Sequence, residues 1–278
     1  MLVTHKSGVK IAFDDRGRGE PALLFLPGWC APRWVFSEVM ARCALHRRVL
    51  LLDWRGHGES EAPSADFGMR ELADDALAVL EASGAASVIP VASAHSGWVA
   101  LELRRRLGRR VEGIVSLEWF VLGLPPQLRE ALAGMQSPDR WRQVVEGMHQ
   151  RWLNGAQNPG LERFLRVGMS TGFPMWSRAG REITAAFDRE PVPFQALERS
   201  GVPVLLLYSQ PPDDSQLAAY QQLARDHPWF SVERLPSRTQ LSMLEEPEAI
   251  AAAIEQFVAR AVVPTTGAAN SDNALAGP

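Results

Sequence analysis

The chain has 278 residues, with 29 Lys and Arg against 32 Asp and Glu, and a net charge of −3. Hydrophobic residues make up 46% and charged residues 22%, a globular composition without the basic surplus that a nucleic-acid surface needs. Nine Trp stand against two Tyr and six His. The two cysteines, Cys30 and Cys43, cannot build a disulfide framework and suit a reducing compartment, so a cytoplasmic location is expected. No apolar run approaches the ~20 residues of a membrane span, and Met1 to Lys10 lacks the apolar core of a signal peptide. The expected partner is a small molecule, not nucleic acid or a membrane, bound by a monomer or a homodimer.

The first strand-like runs are Val9 to Phe13 and Ala22 to Leu26, the second ending at the breaker pair Pro27-Gly28. Val49 to Asp53 is a continuous apolar run closed by a carboxylate, as suits a parallel strand covered on both faces. Met69 to Ala82 reads as a helix, Val88 to Ala92 as a strand, Trp98 to Leu107 as a helix and Val111 to Leu117 as a strand. From about Phe120 to Gln195 the alternation stops. This stretch is helical, rich in Arg and Trp, and reads as an insertion over the strand ends, where open α/β sheets bind ligands. Val202 to Tyr208 and Val232 to Leu235 resume the strands. Glu246-Pro247-Glu248 opens a last helix reaching about Ala261. The alternation predicts an α/β fold with a mainly parallel sheet. Residues 1–119 and 199–262 form its core, 120–198 a helical cap, and 263–278 read as a disordered tail.

Three segments carry the chemistry. Leu26-Pro27-Gly28-Trp29 follows a strand, where the loop of an α/β hydrolase supplies one backbone N–H of an oxyanion hole; alone it is also a plain glycine turn. Asp53-Trp54-Arg55-Gly56-His57-Gly58-Glu59-Ser60 resembles a structural turn of the same family, which makes His57 a structural histidine, not a base. Val91-Ala92-Ser93-Ala94-His95-Ser96-Gly97-Trp98 resembles the nucleophile elbow, which needs small residues two before and two after its centre. Only a register centred on Ala94 satisfies this, with Ala92 and Ser96 as the small flanks. The elbow is present and its nucleophile is not. A hydrolase base belongs after the last strand, yet the last histidine, His227, precedes it. Gln240 stands in that loop and cannot take a proton near neutral pH. Acid candidates are Asp213 and Asp214, or Glu118 beside Trp119. Glu118 is either a carboxylate with a raised pKa under an aromatic lid or one paired with the cap's arginines.

A narrower likeness joins Pro27-Gly28-Trp29-Cys30, Asp53 to Gly58, His95-Ser96-Gly97-Trp98-Val99, Glu118-Trp119, Pro138-Asp139-Arg140-Trp141-Arg142, Ser209-Gln210-Pro211 and His227-Pro228-Trp229-Phe230-Ser231. From about residue 20 to 260 the chain resembles the cofactor-independent ring-cleaving 2,4-dioxygenases of 3-hydroxy-4(1H)-oxoquinolines. The resemblance implies an α/β-hydrolase fold with the cap inserted after the sixth strand, and chemistry without metal or flavin. It implies a His–Asp dyad that deprotonates a substrate hydroxyl, an anion that reacts with O₂, and ring opening with loss of carbon monoxide. The family's serine falls on Ala94, its dyad histidine on Gln240 and its aspartate on Glu118. The expected catalytic set is therefore His95, Glu118 and Gln240. The expected substrate-binding set is Trp29, Cys30, Ala94, Ser96, Trp98, Trp119, Trp141, Trp152 and Trp176.

Three functions remain open on this sequence: a dioxygenase-like enzyme on a bicyclic heteroaromatic, a rearrangement, cyclisation, dehydration or decarboxylation in the same pocket, or a non-catalytic binder of aromatic ligands. A positioned base is worth typically 10²–10⁴-fold, a loss that an acidic substrate hydroxyl tolerates. A hydrolase missing both nucleophile and base has no such recourse, so ester and amide hydrolysis are disfavoured most.

Overall fold

The computed structural model describes residues 1–156 and 158–261. The expected tail over 263–278 lies outside the described residues. Strands β1 (Leu2–Thr4), β2 (Lys10–Arg16), β3 (Ala22–Leu26), β4 (Val49–Leu52), β5 (Val88–Ser93), β6 (Ile114–Leu117), β7 (Val204–Tyr208) and β8 (Phe230–Arg234) form one sheet. Its order is β1-β2-β4-β3-β5-β6-β7-β8. The β1–β2 and β2–β4 pairs are antiparallel and the rest parallel. Both faces are covered. In β3, Ala22, Leu24 and Leu26 enter one core while Leu23 and Phe25 enter the other. This double burial is why the central strands read as unbroken apolar runs.

The helices are α1 (Ser37–Cys43), α2 (Met69–Ser83), α3 (Gly97–Leu107), α4 (Pro126–Met135), α5 (Trp141–Leu153), α6 (Pro159–Ser170), α7 (Phe173–Arg189), α8 (Pro193–Ser200), α9 (Asp214–Asp226), α10 (Ser242–Glu245) and α11 (Pro247–Ala261). The cap is α4 to α8, entered after β6. Four of these five helices carry Pro in the first turn, where the ring's fixed φ suits the helix and the missing N–H has no intrahelical partner. The Asn158 side chain caps α6 by accepting from Gly160 N–H at 2.7 Å. Gly180 lets α7 lie directly on α4, since a Cβ there would come within 2.5 Å of the Leu132 carbonyl oxygen.

The structure adds one strand, β1, and shifts the bounds of others, the first expected strand running over Lys10–Arg16. β1 carries no readable alternation and exists through its pairing with β2, Leu2 opposite Ala12. The strand expected from Val111 begins at Ile114, because Val111 makes only an isolated bridge to Val88. The last strand starts two residues earlier, at Phe230, in register with Val204.

Strand β3 is the centre of the sheet. The chain leaves it for β4 on one side, then crosses to β5 on the other. This reversal opens a crevice at the carboxyl ends of β3 and β5, the place where open α/β sheets bind ligands. The first loop, the elbow and the cap all meet there.

Candidate active site

Three strand ends surrounding the crevice carry a non-glycine residue in left-handed conformation: Cys30 in the loop after β3 (φ 60°), Ala94 after β5 (φ 49°) and Glu118 after β6 (φ 54°). Such backbone costs of order 1–3 kcal/mol each and persists where the surroundings enforce it. At Ala94 it fixes the elbow register expected from the small flanking residues. Ser96 Oγ donates to the Pro27 carbonyl at 2.5 Å, and Trp54 Nε1 donates to the same oxygen at 2.6 Å. One carbonyl thus ties the first loop to the elbow and to the turn after β4. Gly97 follows because a Cβ there would sit within 2.7 Å of the Trp119 ring.

The two histidines of this region differ. His57 Nδ1 donates to the Arg55 carbonyl at 3.0 Å and its Nε2 accepts from Cys30 N–H at 2.9 Å, so both ring nitrogens are spent on the backbone. It is structural, and burial lowers its pKa. His95 Nε2 accepts from Trp29 N–H at 2.7 Å. The ring proton of neutral His95 is therefore on Nδ1. Burial, with His57 nearby, pushes its pKa down to about 3, so the ring is a neutral donor at the cavity wall. The Trp29 amide, placed where a hydrolase would aim an oxyanion-hole donor, is already taken.

Glu118 is 9% exposed. Its Oε2 accepts from Ser209 N–H at 3.1 Å and its Oε1 lies 2.7 Å from Ser209 Oγ. Burial pushes its carboxyl up to about 7, against the pull of the backbone N–H donors of Ser209 and Gln210 and of the Ser242 hydroxyl. Ser209 Oγ also lies 2.7 Å from the Thr239 carbonyl. The loop carrying Gln240 is held by Glu245, whose Oε2 accepts from Thr239 N–H at 2.9 Å, Thr239 Oγ1 at 2.8 Å, Arg238 N–H at 3.1 Å and Ser237 Oγ at 2.5 Å. Sequence reasoning gave Ser209 only as part of a family motif, without a role, and did not reach Glu245; only folding brings them to the site.

A cavity of about 550 Å³ opens on these groups, within the ~300–1,000 Å³ usual for small-molecule sites. His95, Glu118 and Gln240 line it together, as do Trp29, Ala94, Trp119, Trp152 and Trp176. Its outer wall is apolar and belongs to the cap: Leu128, Leu132, Met135, Met148, Ile183 and Phe187. The helical spacing of these residues was visible in the sequence, but not which face they cover. Arg151 and Gln127 add polar groups to the lining.

Four expected binding residues fall elsewhere. Cys30 is buried in the core beneath the loop, its backbone spent on His57. Ser96 is buried with its hydroxyl on Pro27. Trp98 stands behind the wall, edge-on to Trp119 at 5.0 Å and to Phe187 at 5.8 Å. Trp141 is buried within the cap, packed on Phe173. The acid candidate Asp213 caps α9 by accepting from Gln216 N–H at 2.8 Å, and Asp214 begins that helix in solvent. Among the described residues, no group of three or more His, Cys, Asp and Glu side chains is arranged to hold a metal ion, and no helix is long and apolar enough to cross a membrane.

Residues 23–253 match the model of the alpha/beta hydrolase family. The chain belongs to that family. Within it, the chain is 35% identical over 259 residues to a 2-heptyl-3-hydroxy-4(1H)-quinolone dioxygenase of Mycobacteroides abscessus, covering 90% of this chain and 96% of that protein. It is 30% identical over 263 residues to the 1H-3-hydroxy-4-oxoquinoline 2,4-dioxygenase of Pseudomonas putida, covering 93% and 99%. A solved structure of an AqdC variant with its substrate, from work on ring cleavage of the Pseudomonas quinolone signal, superposes with a TM-score of 0.88. That similarity has 33% identity and spans 94% of this chain and 99% of the other. The chain is thus a homologue of the 3-hydroxy-4-quinolone 2,4-dioxygenases, cap included.

Proposed function

We propose that this protein is a ring-cleaving 2,4-dioxygenase of a 3-hydroxy-4-quinolone-like heteroaromatic, with Glu118 accepting the proton of the 3-hydroxyl. The observation that carries the reading is a single buried carboxyl in the cavity, raised to about 7, with no histidine in the loop after β8. A carboxylate with that pKa is matched to proton transfer near neutrality. The bicyclic ring would lie between Trp29, Trp119 and the cap tryptophans Trp152 and Trp176, with an alkyl substituent along the apolar cap wall. Neutral His95 would donate Nδ1–H to the oxygen that gathers negative charge. Gln240 would supply an amide hydrogen bond and no proton transfer.

The deprotonated ring is the electron donor and O₂ the oxidant. One oxygen atom joins ring carbon 2 and the other carbon 4; the C2–C3 and C3–C4 bonds break. Carbon 3 leaves as carbon monoxide with the former hydroxyl oxygen, and an amide and a carboxylic acid remain. No hydrolytic nucleophile is needed, which accords with Ala94 at the elbow.

The test is oxygen uptake and carbon monoxide release with 3-hydroxy-4-quinolones bearing short and long 2-alkyl chains. Equimolar uptake and release, reduced 10²–10⁴-fold by Glu118→Gln, are the expected result. Tight binding without turnover would instead support a non-catalytic aromatic binder, the reading that Ala94 and Gln240 favour. An Ala94→Ser, Gln240→His variant is expected to speed ring cleavage, yet to gain no esterase activity while His95 occupies the Trp29 amide.

A further inference from the structure

We infer that Ser209 is the positioning residue that holds Glu118 in its protonated form, by passing one hydrogen bond on to the Thr239 carbonyl. The inference deepens the proposed role of Glu118 and rests on it for its catalytic meaning. The geometry behind it does not.

Ser209 Oγ carries one proton and lies 2.7 Å from two acceptors, Glu118 Oε1 and the Thr239 carbonyl oxygen. A carbonyl oxygen can only accept, and so can an ionised carboxylate. With Glu118 ionised, the two oxygens compete for one hydroxyl proton and one of the short contacts is left without a hydrogen. With Glu118 protonated on Oε1, the carboxyl donates to Ser209 Oγ and Ser209 donates to Thr239, so both contacts are hydrogen bonds. Oε2 accepts from Ser209 N–H in either state. The two short distances together therefore favour the neutral acid.

The backbone N–H groups of Ser209 and Gln210 and the Ser242 hydroxyl favour the ionised form, so the Ser209–Thr239 relay works against them. Tyr208 on β7 and Tyr220 on α9 are phenols whose own pKa values are raised, chiefly by burial. His95 on the elbow is neutral, and Ser242 is a hydroxyl on α10. Arg151 of the cap is the cation that lines the same cavity. Glu245, behind the loop, is engaged by its four donors.

The consequence is a link between chemistry and shape. Thr239 directly precedes Gln240. When Glu118 takes a proton from a ligand hydroxyl, the Ser209–Thr239 bond forms and fixes the loop that presents Gln240. When the proton leaves, Ser209 Oγ turns its hydrogen to Glu118 Oε1 and that bond is lost. Ser209 thus acts through Glu118 and touches no reacting atom.

The sign of one shift tests this. The Glu118 carboxyl is titrated in the ligand-free protein by infrared difference spectroscopy, with Glu118→Gln identifying the band. In Ser209→Ala the Glu118 pKa is expected to fall by about one unit, because the partner of the neutral form is gone. A hydroxyl that merely donates to an ionised carboxylate would have the opposite effect, and a rise in Ser209→Ala overturns the inference. An unchanged pKa in Ser209→Ala also overturns it, whereas Ser209→Thr keeps the hydroxyl and is expected to retain the wild-type value. In wild type, the acid limb of the pH profile for quinolone turnover should follow the titrated value and move with it in Ser209→Ala. If the band shifts as expected but no quinolone is turned over, the proton arrangement stands and the proposed reaction falls.

Discussion

Replacing Glu118 by Gln removes one titration and almost no volume. Gln also imitates the protonated acid: its carbonyl can accept from Ser209 N–H and its amide can donate to Ser209 Oγ. The fold should therefore be kept. The carboxyl rises from its ordinary 4.5 to about 7 on folding, chiefly through burial. A raised pKa means that the native state binds the proton more tightly than the unfolded chain. Its contribution to stability is complete below 4.5 and is lost as pH rises through 7. At 1.36 kcal/mol per unit, the ionised group costs the native state roughly 3 kcal/mol, of which about 2.5 kcal/mol appear between pH 5 and pH 9. His95 and His149, whose pKa values burial lowers, tilt stability the other way below 6.5. They are common to both proteins and cancel in the difference. Urea unfolding of wild type and Glu118→Gln at pH 5 and pH 9 reads that difference directly. The variant should gain about 2.5 kcal/mol on wild type between the two pH values. Parallel pH dependence in the two proteins would refute a carboxyl that titrates near 7.

Gly97→Ala would drive a Cβ into the Trp119 ring, which Trp98 pins from behind; about 1–3 kcal/mol of stability should be lost, with weaker binding of aromatic ligands by titration calorimetry. His149 is buried against Trp152, Phe164 and Trp176 with its Nε2 unpartnered among the described residues, and burial lowers its pKa to about 4. His149→Leu should stabilise the cap, by roughly 2 kcal/mol more at pH 5 than at pH 8, because only the unfolded chain's histidine is protonated at pH 5; thermal melts at the two pH values check this. Arg55 and Asp75 form a buried two-point pair at 2.9 and 2.6 Å. Asp75→Asn leaves the guanidinium without its charge partner and should cost roughly 3–5 kcal/mol in urea unfolding, without altering the cavity.

The central strands declared themselves because burial on both faces leaves no polar position in Val49–Leu52 or Val204–Tyr208. Helix α11 did so through Pro247 and its acidic first turn. The elbow register was also legible, since small residues flank only Ala94, and so was the absence of a histidine after the last strand. These are local facts of volume, periodicity and composition. Partnership is not local. Ser209 lies 91 residues from Glu118 and 30 from Thr239, and nothing in their own segments marks them as one network. Trp98 and Trp141 sit on helical patterns much like those of Trp152 and Trp176, yet packing turns Trp98 onto Trp119 and Phe187 and Trp141 onto Phe173, outside the cavity lining. The sequence determined the scaffold and put Ala94 at the elbow and Gln240 after the last strand, with Glu118 and His95 as titratable groups nearby. Only the tertiary structure decided the protonation of these two: the desolvation that raises Glu118, and the one amide that sets the proton on His95, exist only once distant segments meet.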